Sequence, residues 1–311
     1  MHWHHRLIVA LGAVSLVPSF ACSTGDDETI EGSALDDDAI TVGSFDFQES
    51  VVLAEVYSRA LESAGYRVRR QFDLGPREFV APALRAGLVE LVPEYAGTAL
   101  EFVSLGESTA TSDAAATHEE LVRSLGDGDV LALAAAPAQN TNTFVVTAET
   151  AARLDLDEVS DLAAVAGRLT FGGPGECATR RLCLVGLRNV YGVTFGDVLT
   201  LDAGGPVTRQ ALRSGGIDVA LLFTTDPAIE GEGFVALTDD RHMQPAENVT
   251  PFVRSEVVER WGDALVRVID EVSRVLTTDA VRQLNAAATG EAGSADAATV
   301  AADWLRSVGV T

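Results

Sequence analysis

The sequence predicts an α/β fold built twice over, two lobes that each hold a mostly parallel sheet flanked by helices. Three observations carry that reading. The order strand, helix, strand, helix, strand occurs twice along the chain. ALRAGLVELVPEYAGT (Ala83 to Thr98) and ALRSGGIDVALLFTTD (Ala211 to Asp226) align without a gap at an offset of 128. Finally, 311 residues with 47% hydrophobic content suffice for two cores of ordinary size.

Residues 1–21, up to the FA of MHWHHRLIVALGAVSLVPSFAC, read as an export signal: a polar, basic head of His2, His4, His5 and Arg6, an apolar run from Leu7 to Val17, then small residues. The run is shorter than a membrane span needs. Ser19-Phe20-Ala21-Cys22 resembles a bacterial lipobox, which makes Cys22 a lipidated mature N-terminus; plain secretion is the alternative, because Phe20 departs from the usual pattern. Residues 22–38, acidic, small and without periodicity, read as a solvated tether.

The first repeat begins with the strand AITVGS. The helix SVVLAEVYSRALESAG then puts Leu53, Val56, Tyr57, Ala60, Leu61 and Ala64 on one face and stops at Gly65. After the strand YRVRRQFDLG, a second helix ends in Ala-Leu-Arg-Ala-Gly, with Gly87 as a left-handed cap. A short apolar strand leads to Tyr95, and Thr98 with Glu101 has the spacing of a capping box. One of only 4 tyrosines thus stands at a strand-to-helix corner, on a solvent-facing side. Residues 107–117 read as a mobile surface connection.

The second repeat runs through RLTFGG, the helix LCLVGLRNVYG ending at Gly192, the strand VTFGDVLTLDAGG, and a helix capped at Gly215. At its corner Phe223 stands opposite Tyr95, and Asp226 precedes Pro227 as an N-cap precedes a first-turn proline. SEVVERWGDALVRVIDEVSRVL and the Ala-rich end are amphipathic helices. Ligands of open α/β sheets sit at the carboxyl ends of the strands. If the lobes face each other, both corners converge on the cleft between them, where aromatic faces bury apolar ligand surface and attract cations.

Composition excludes several functions. A formal charge of -24 argues against nucleic acid. All 22 basic residues are arginine, so there is neither a Walker-type phosphate loop nor a Schiff-base lysine. A secreted hydrolase is disfavoured, since neither Gly-x-Ser-x-Gly nor His-Glu-x-x-His occurs, and His118 and His242 read as exposed. Cys177 and Cys183 have five residues between them; in an exported chain a local disulfide is the default and a zinc pair the weaker alternative.

GSFDFQESVVLAEVYSRALESAGYRVRR, LGPREFVAPALRAGLVELVPEYAGTAL, LTFGGPGECATRRLCLVGLRNVYG and IDVALLFTTDPAI resemble the glycine betaine/choline-type substrate-binding proteins of ABC importers. The resemblance covers about residues 39 to 255, with PEYxGT and GGPxEC…C as its specific motifs. It implies a two-lobed type II periplasmic-binding-protein fold with two hinge crossovers, near residues 138–143 and 243–249. One lobe would then be 39–139 plus 247–311, and the other 140–246.

It further implies an extracytoplasmic lipoprotein, anchored through Cys22, that captures an osmoprotectant by hinge closure and delivers it to ABC permease subunits. The protein would be a monomer, without cofactor and without catalysis. The alternatives are a different small polar solute in the same fold, or a sensor receptor. The implied ligand shell comprises Ser44, Phe47, Gln48 and Ser50 at the first helix N-terminus, where Asp46 with Glu49 makes a capping box and free N–H groups suit a carboxylate. Tyr95 and Thr98, Asn142, and the corner Phe223, Thr224, Thr225 and Asp226 complete it. The family's ExC…C loop corresponds to a Cys177–Cys183 bridge. This sequence departs from the family in its cage: Tyr57, Tyr66 and Tyr191 read as structural, which leaves Tyr95 with Phe45, Phe47, Phe144 or Phe223 as supplements.

Overall fold

Alternating apolar strands and glycine-terminated helices order the chain into two five-stranded sheets. The structure is a computed structural model that describes residues 38–289 and 296–310. The expected export signal, Cys22 and, apart from Asp38, the expected acidic tether lie outside those residues. The first repeat comprises β1 (Ala39–Gly43), α1 (Gln48–Ser63), β2 (Arg67–Gln71), α2 (Arg77–Arg85) and β3 (Leu91–Tyr95). It continues through α3 (Ala96–Val103), α4 (Ala114–Leu125) and β4 (Val130–Ala132). The chain then enters the second sheet with β5 (Asn142–Thr147) and α5 (Ala148–Leu154). The second repeat is β6 (Thr170–Gly173), α6 (Leu184–Gly186, prolonged by a π-helical turn to Tyr191), β7 (Asp197–Thr200), α7 (Pro206–Arg213) and β8 (Val219–Phe223). After α8 (Ala228–Gly231) and β9 (Phe234–Ala236) the chain returns as β10 (Val249–Arg254). The helices α9 (Ser255–Val275), α10 (Thr278–Thr289) and α11 (Ala297–Val308) end it.

The sheets share one topology. Their strand orders are β2-β1-β3-β10-β4 and β7-β6-β8-β5-β9. In each, the third strand of the repeat pairs antiparallel with a strand that arrives from the other sheet, β10 against β3 and β5 against β8. Only that visiting strand runs against the other four. The offset of 128 maps β3 residue for residue onto β8, and the glycines that end α2 and α7 take the predicted left-handed backbone, Gly87 at φ 72° and Gly215 at φ 73°. A left-handed residue there lets the chain leave the helix directly into the next strand.

Burial reaches beyond the predicted face of α1: Leu53, Val56, Tyr57, Ala60 and Leu61 are in the core with α9, α10 and α11 packed against the helix, but so are Val52, Ala54 and Ser58 off that face, while Ala64 at its end is exposed. The Tyr57 hydroxyl is 2.9 Å from Ser273 Oγ, tying α1 to α9. Residues 107–117 are not wholly a surface connection. Ala114–Thr117 form the first turn of α4, the Asp113 side chain caps it by accepting from the Ala116 N–H, and the Thr111 carbonyl accepts from Ala246 N–H of the return crossover.

The two passages between sheets run side by side. Gln139 and Asn248 form an antiparallel bridge, the Asn140 N–H donates to the Glu247 carbonyl at 3.2 Å, and the Val249 N–H donates to Ala138. Each visiting strand therefore starts next to a corner: Val249 pairs with Tyr95, and Asn142 with Phe223.

Candidate ligand cleft

Between the sheets lies a cleft of about 1120 Å³. One wall is the start of α1, with Phe47, Gln48 and Glu49; the other is the second corner, with Phe223, Thr225 and Asp226. Asn140 of the first crossover and Asn285 of α10 line it as well.

Its chemical centre is Glu49, which is 8% exposed. Three neutral donors converge on its carboxyl group. Tyr95 Oη donates to Oε1 at 2.6 Å, Asn140 Nδ2 to the same oxygen at 2.8 Å, and Asn285 Nδ2 to Oε2 at 2.7 Å. No arginine or histidine among the described residues pairs with it. Burial first, and then the Glu49 charge, push the Tyr95 phenol well above its usual value, so that Tyr95 stays a donor. A buried carboxylate held by dipoles alone has its hydrogen bonds satisfied but lacks a countercharge. Beside it, Phe47 is 43% exposed and leans on Phe45 (centroids 5.8 Å apart) and Tyr95 (6.1 Å). An apolar aromatic face thus adjoins an uncompensated anion.

The first corner is not solvent-facing as the sequence suggested. Tyr95 is 7% exposed and acts from behind Glu49. Neither expected capping box forms. Phe47 is the N-cap of α1 with no side-chain cap, and α3 begins at Ala96, which puts Thr98 inside its first turn. Thr98 instead joins a buried charge cluster away from the cleft. Its N–H donates to Glu247 at 3.1 Å, its hydroxyl accepts from Arg77, and Arg77 forks onto Glu94 at 2.9 and 2.8 Å. Burial pushes the Glu247 carboxyl up to about 7, against the Thr98 N–H and the Arg77 charge that lower it, and Glu94 adds to the rise.

The expected shell is therefore divided. Phe47, Gln48, Phe223, Thr225 and Asp226 line the cleft together. Ser44 and Ser50 are fully buried braces: Ser44 Oγ accepts from the Asp73 N–H and Ser50 Oγ from the Phe45 N–H. Asn142 donates to the Leu182 carbonyl. Thr224 bonds the first crossover through Gln139 and Thr141, while its carbonyl accepts from Arg282 of α10. Asp226 does cap α8, accepting from Ala228 N–H at 2.8 Å. His118 is half-buried rather than exposed, with Nε2 at 2.8 Å from the Leu133 carbonyl.

Cys177 and Cys183 are bonded, with Cα atoms 5.2 Å apart. No group of three or more metal-ligating side chains occurs among the described residues. Sequence reasoning missed Glu49, Asn140, Arg209 and Asn285. The FQES run disguised Glu49 as a cap, and its amide partners lie 91 and 236 residues away.

Residues 38–307 match the profile of the substrate-binding domain of ABC-type glycine betaine transport systems. The chain is 27% identical over 281 residues to the glycine betaine-binding protein YehZ of Escherichia coli (strain K12), covering 88% of this chain and 91% of that one. It is 28% identical over 281 residues to a glycine-betaine-binding protein of Pseudomonas aeruginosa, covering 86% and 88%. Among solved structures, that of a glycine betaine/carnitine/choline ABC transporter protein superposes with a TM-score of 0.80 at 23% identity, over 87% of this chain and 99% of the other. The chain belongs to the family of substrate-binding domains of ABC-type glycine betaine transport systems.

Proposed function

We propose that this member of the family captures a small quaternary-ammonium solute, with Glu49 as the countercharge and Phe47 and Phe223 as the apolar walls. The observation that carries the reading is the buried Glu49 carboxylate, which has three neutral donors and no ion-pair partner among the described residues. A methylated ammonium suits it because such a cation has no N–H to satisfy, so contact with a carboxylate and aromatic faces is enough. This reverses the expectation that the start of α1 takes a ligand carboxylate, since Glu49 would repel one.

Residues 39–139 with 247–311 would form one closing lobe and 140–246 the other, with the paired crossovers as hinge. Glu49 and Phe47 stand on the first and Phe223 on the second, so a ligand touching all three stabilises the closed state by its differential contacts. The closed form would be what the permease recognises, on the extracytoplasmic side, with lipidated Cys22 as the membrane anchor.

Calorimetric titration of the mature chain with choline, glycine betaine and carnitine tests the reading. At least one should bind saturably, and Glu49→Gln should weaken it by about 2 to 3 kcal/mol, on the order of 30- to 150-fold. Binding that ignores Glu49→Gln would refute the assignment.

A further inference from the structure

We infer that a second cavity, on the reverse of the crossovers from the ligand cleft, is a binding site for a neutral polyhydroxyl molecule, a polyol or a monosaccharide. It uses none of the residues that the proposed cleft ligand would touch.

The cavity holds about 370 Å³, within the range of small-molecule sites. Ser112 comes from the connection between α3 and α4, Gln139 and Thr141 from the first crossover, Thr143 from β5, and Gln244 from the approach to the return crossover. No lining residue is shared with the ligand cleft. Asn140 lines the cleft, whereas Gln139 and Thr141 on either side of it line this cavity, the alternation of an extended chain. The crossover backbone therefore stands between the two.

Thr143 marks the site. It is 7% exposed, and its hydroxyl bonds no other group among the described residues. Buried polar groups are ordinarily paired, because an unmet hydrogen bond is costly away from water. The other buried serines and threonines obey that rule through their hydroxyls, with one exception. The exception is Thr225, and Thr225 lines the ligand cleft. The two buried hydroxyls left open thus belong to the two cavities.

The neighbours of Thr143 are open as well. The Ser112 and Thr141 hydroxyls and the Gln139 side-chain amide bond no other described group. Gln244, 8% exposed, donates from Nε2 to the Leu182 carbonyl at 3.0 Å and keeps Oε1 as an acceptor. Ligand hydroxyls both donate and accept, so they can pair with every one of these groups. A charged ligand finds little there. No arginine lines the cavity, and its one carboxylate, Asp239, is already taken up. Tyr191 Oη and the Met243 N–H donate to Asp239 Oδ1, and the Gln244 N–H donates to Oδ2 at 2.7 Å. Phe144 and Leu237 add apolar surface for the C–H face of a sugar ring or polyol chain.

Calorimetric titration of the mature chain with glucose, sorbitol and myo-inositol is the test. At least one should bind saturably, with a dissociation constant of about 1 mM or tighter. Thr143→Val keeps the shape, removes the hydroxyl, and should weaken that binding by about 3- to 10-fold, the worth of one neutral hydrogen bond. Ser112→Trp, at an exposed position, should abolish it by filling the cavity without disturbing the core, and it decides the matter if Thr143→Val fails to fold. No saturable binding of any of the three by the folded wild type overturns the inference. So does binding that survives Ser112→Trp, binding that ignores Thr143→Val, or binding lost in Glu49→Gln, which would put the polyol in the cleft. The titrations with choline, glycine betaine and carnitine decide the proposed function separately, so either reading can fail alone.

Discussion

The two corners of the repeated unit hold the same place in the same topology and do opposite work. After β3 the chain turns through Tyr95, Ala96, Gly97 and Thr98; after β8 it turns through Phe223, Thr224, Thr225 and Asp226. The first corner is locked into the body of the protein. Tyr95 is fixed to Glu49, Thr98 is fixed to Glu247, and Gly97 lies so close to the return crossover that a Cβ would meet the Ala246 carbonyl at 2.7 Å. The second corner carries Thr225 where the first has Gly97, and its Phe223, Thr225 and Asp226 line the cleft. The repeated unit thus gives a fixed support on one side and a wall of the cleft on the other. Substitutions at the first corner should register in stability, and those at the second in ligand affinity.

The largest expected contrast is in pH dependence, and it comes from Glu247. Its folded-state value of about 7 lies above the ordinary 4.5. The protonated form is therefore favoured by folding, and the stabilisation is complete below pH 4.5 and lost as pH rises through 7. Urea unfolding should lose about 3 kcal/mol between pH 4.5 and 8 from this group. Glu247→Gln, a neutral isostere that can still accept from Thr98, should flatten that slope. An unchanged slope would remove Glu247 from the account of the first corner.

Gly97→Ala should cost about 2 kcal/mol, because two of the atoms a Cβ would meet belong to a backbone carbonyl and a buried carboxylate. Thr225→Ala should cost under about 1 kcal/mol and show itself in binding instead. Equal destabilisation at the two sites would mean that the corners are equivalent after all.

Tyr95→Phe and Phe223→Ala should give the smallest effects and the cleanest crossing of readouts. Loss of the Tyr95 hydroxyl leaves Glu49 short of a donor and should lower the stability of the chain by about 1 kcal/mol. Phe223→Ala should leave the melting temperature nearly unchanged and weaken a quaternary ammonium by about 1 kcal/mol, roughly fivefold. Tyr95→Ala is the less useful probe, since removing a buried ring from the core confounds binding with packing.

The sequence made the architecture legible because the repeat is carried by local signals. Glycine caps at 87 and 215 and the apolar runs between them occur at one spacing, and a helix end needs only its own neighbours. The site was legible by segment but not by residue. The second corner and the start of α1 do meet at the cleft, but the first corner stands behind it, and Ser44, Ser50 and Thr98, which look like ligand contacts in a polar turn, satisfy backbone or buried charge instead. Tyr95 reads from the sequence as a cleft-facing ring, but it is buried and turns its hydroxyl to Glu49, an orientation that no local signal carries. Glu49 acquires its meaning only when Asn140 and Asn285 arrive from distant parts of the chain.

The most direct test of the central claim is a crystal structure of the mature protein with a quaternary-ammonium ligand bound. The account predicts the ammonium carbon shell against the Phe47 ring, within about 6 Å of its centroid, and in contact with the Glu49 carboxylate. An ammonium bound elsewhere, with Glu49 still held only by Tyr95, Asn140 and Asn285, would contradict it.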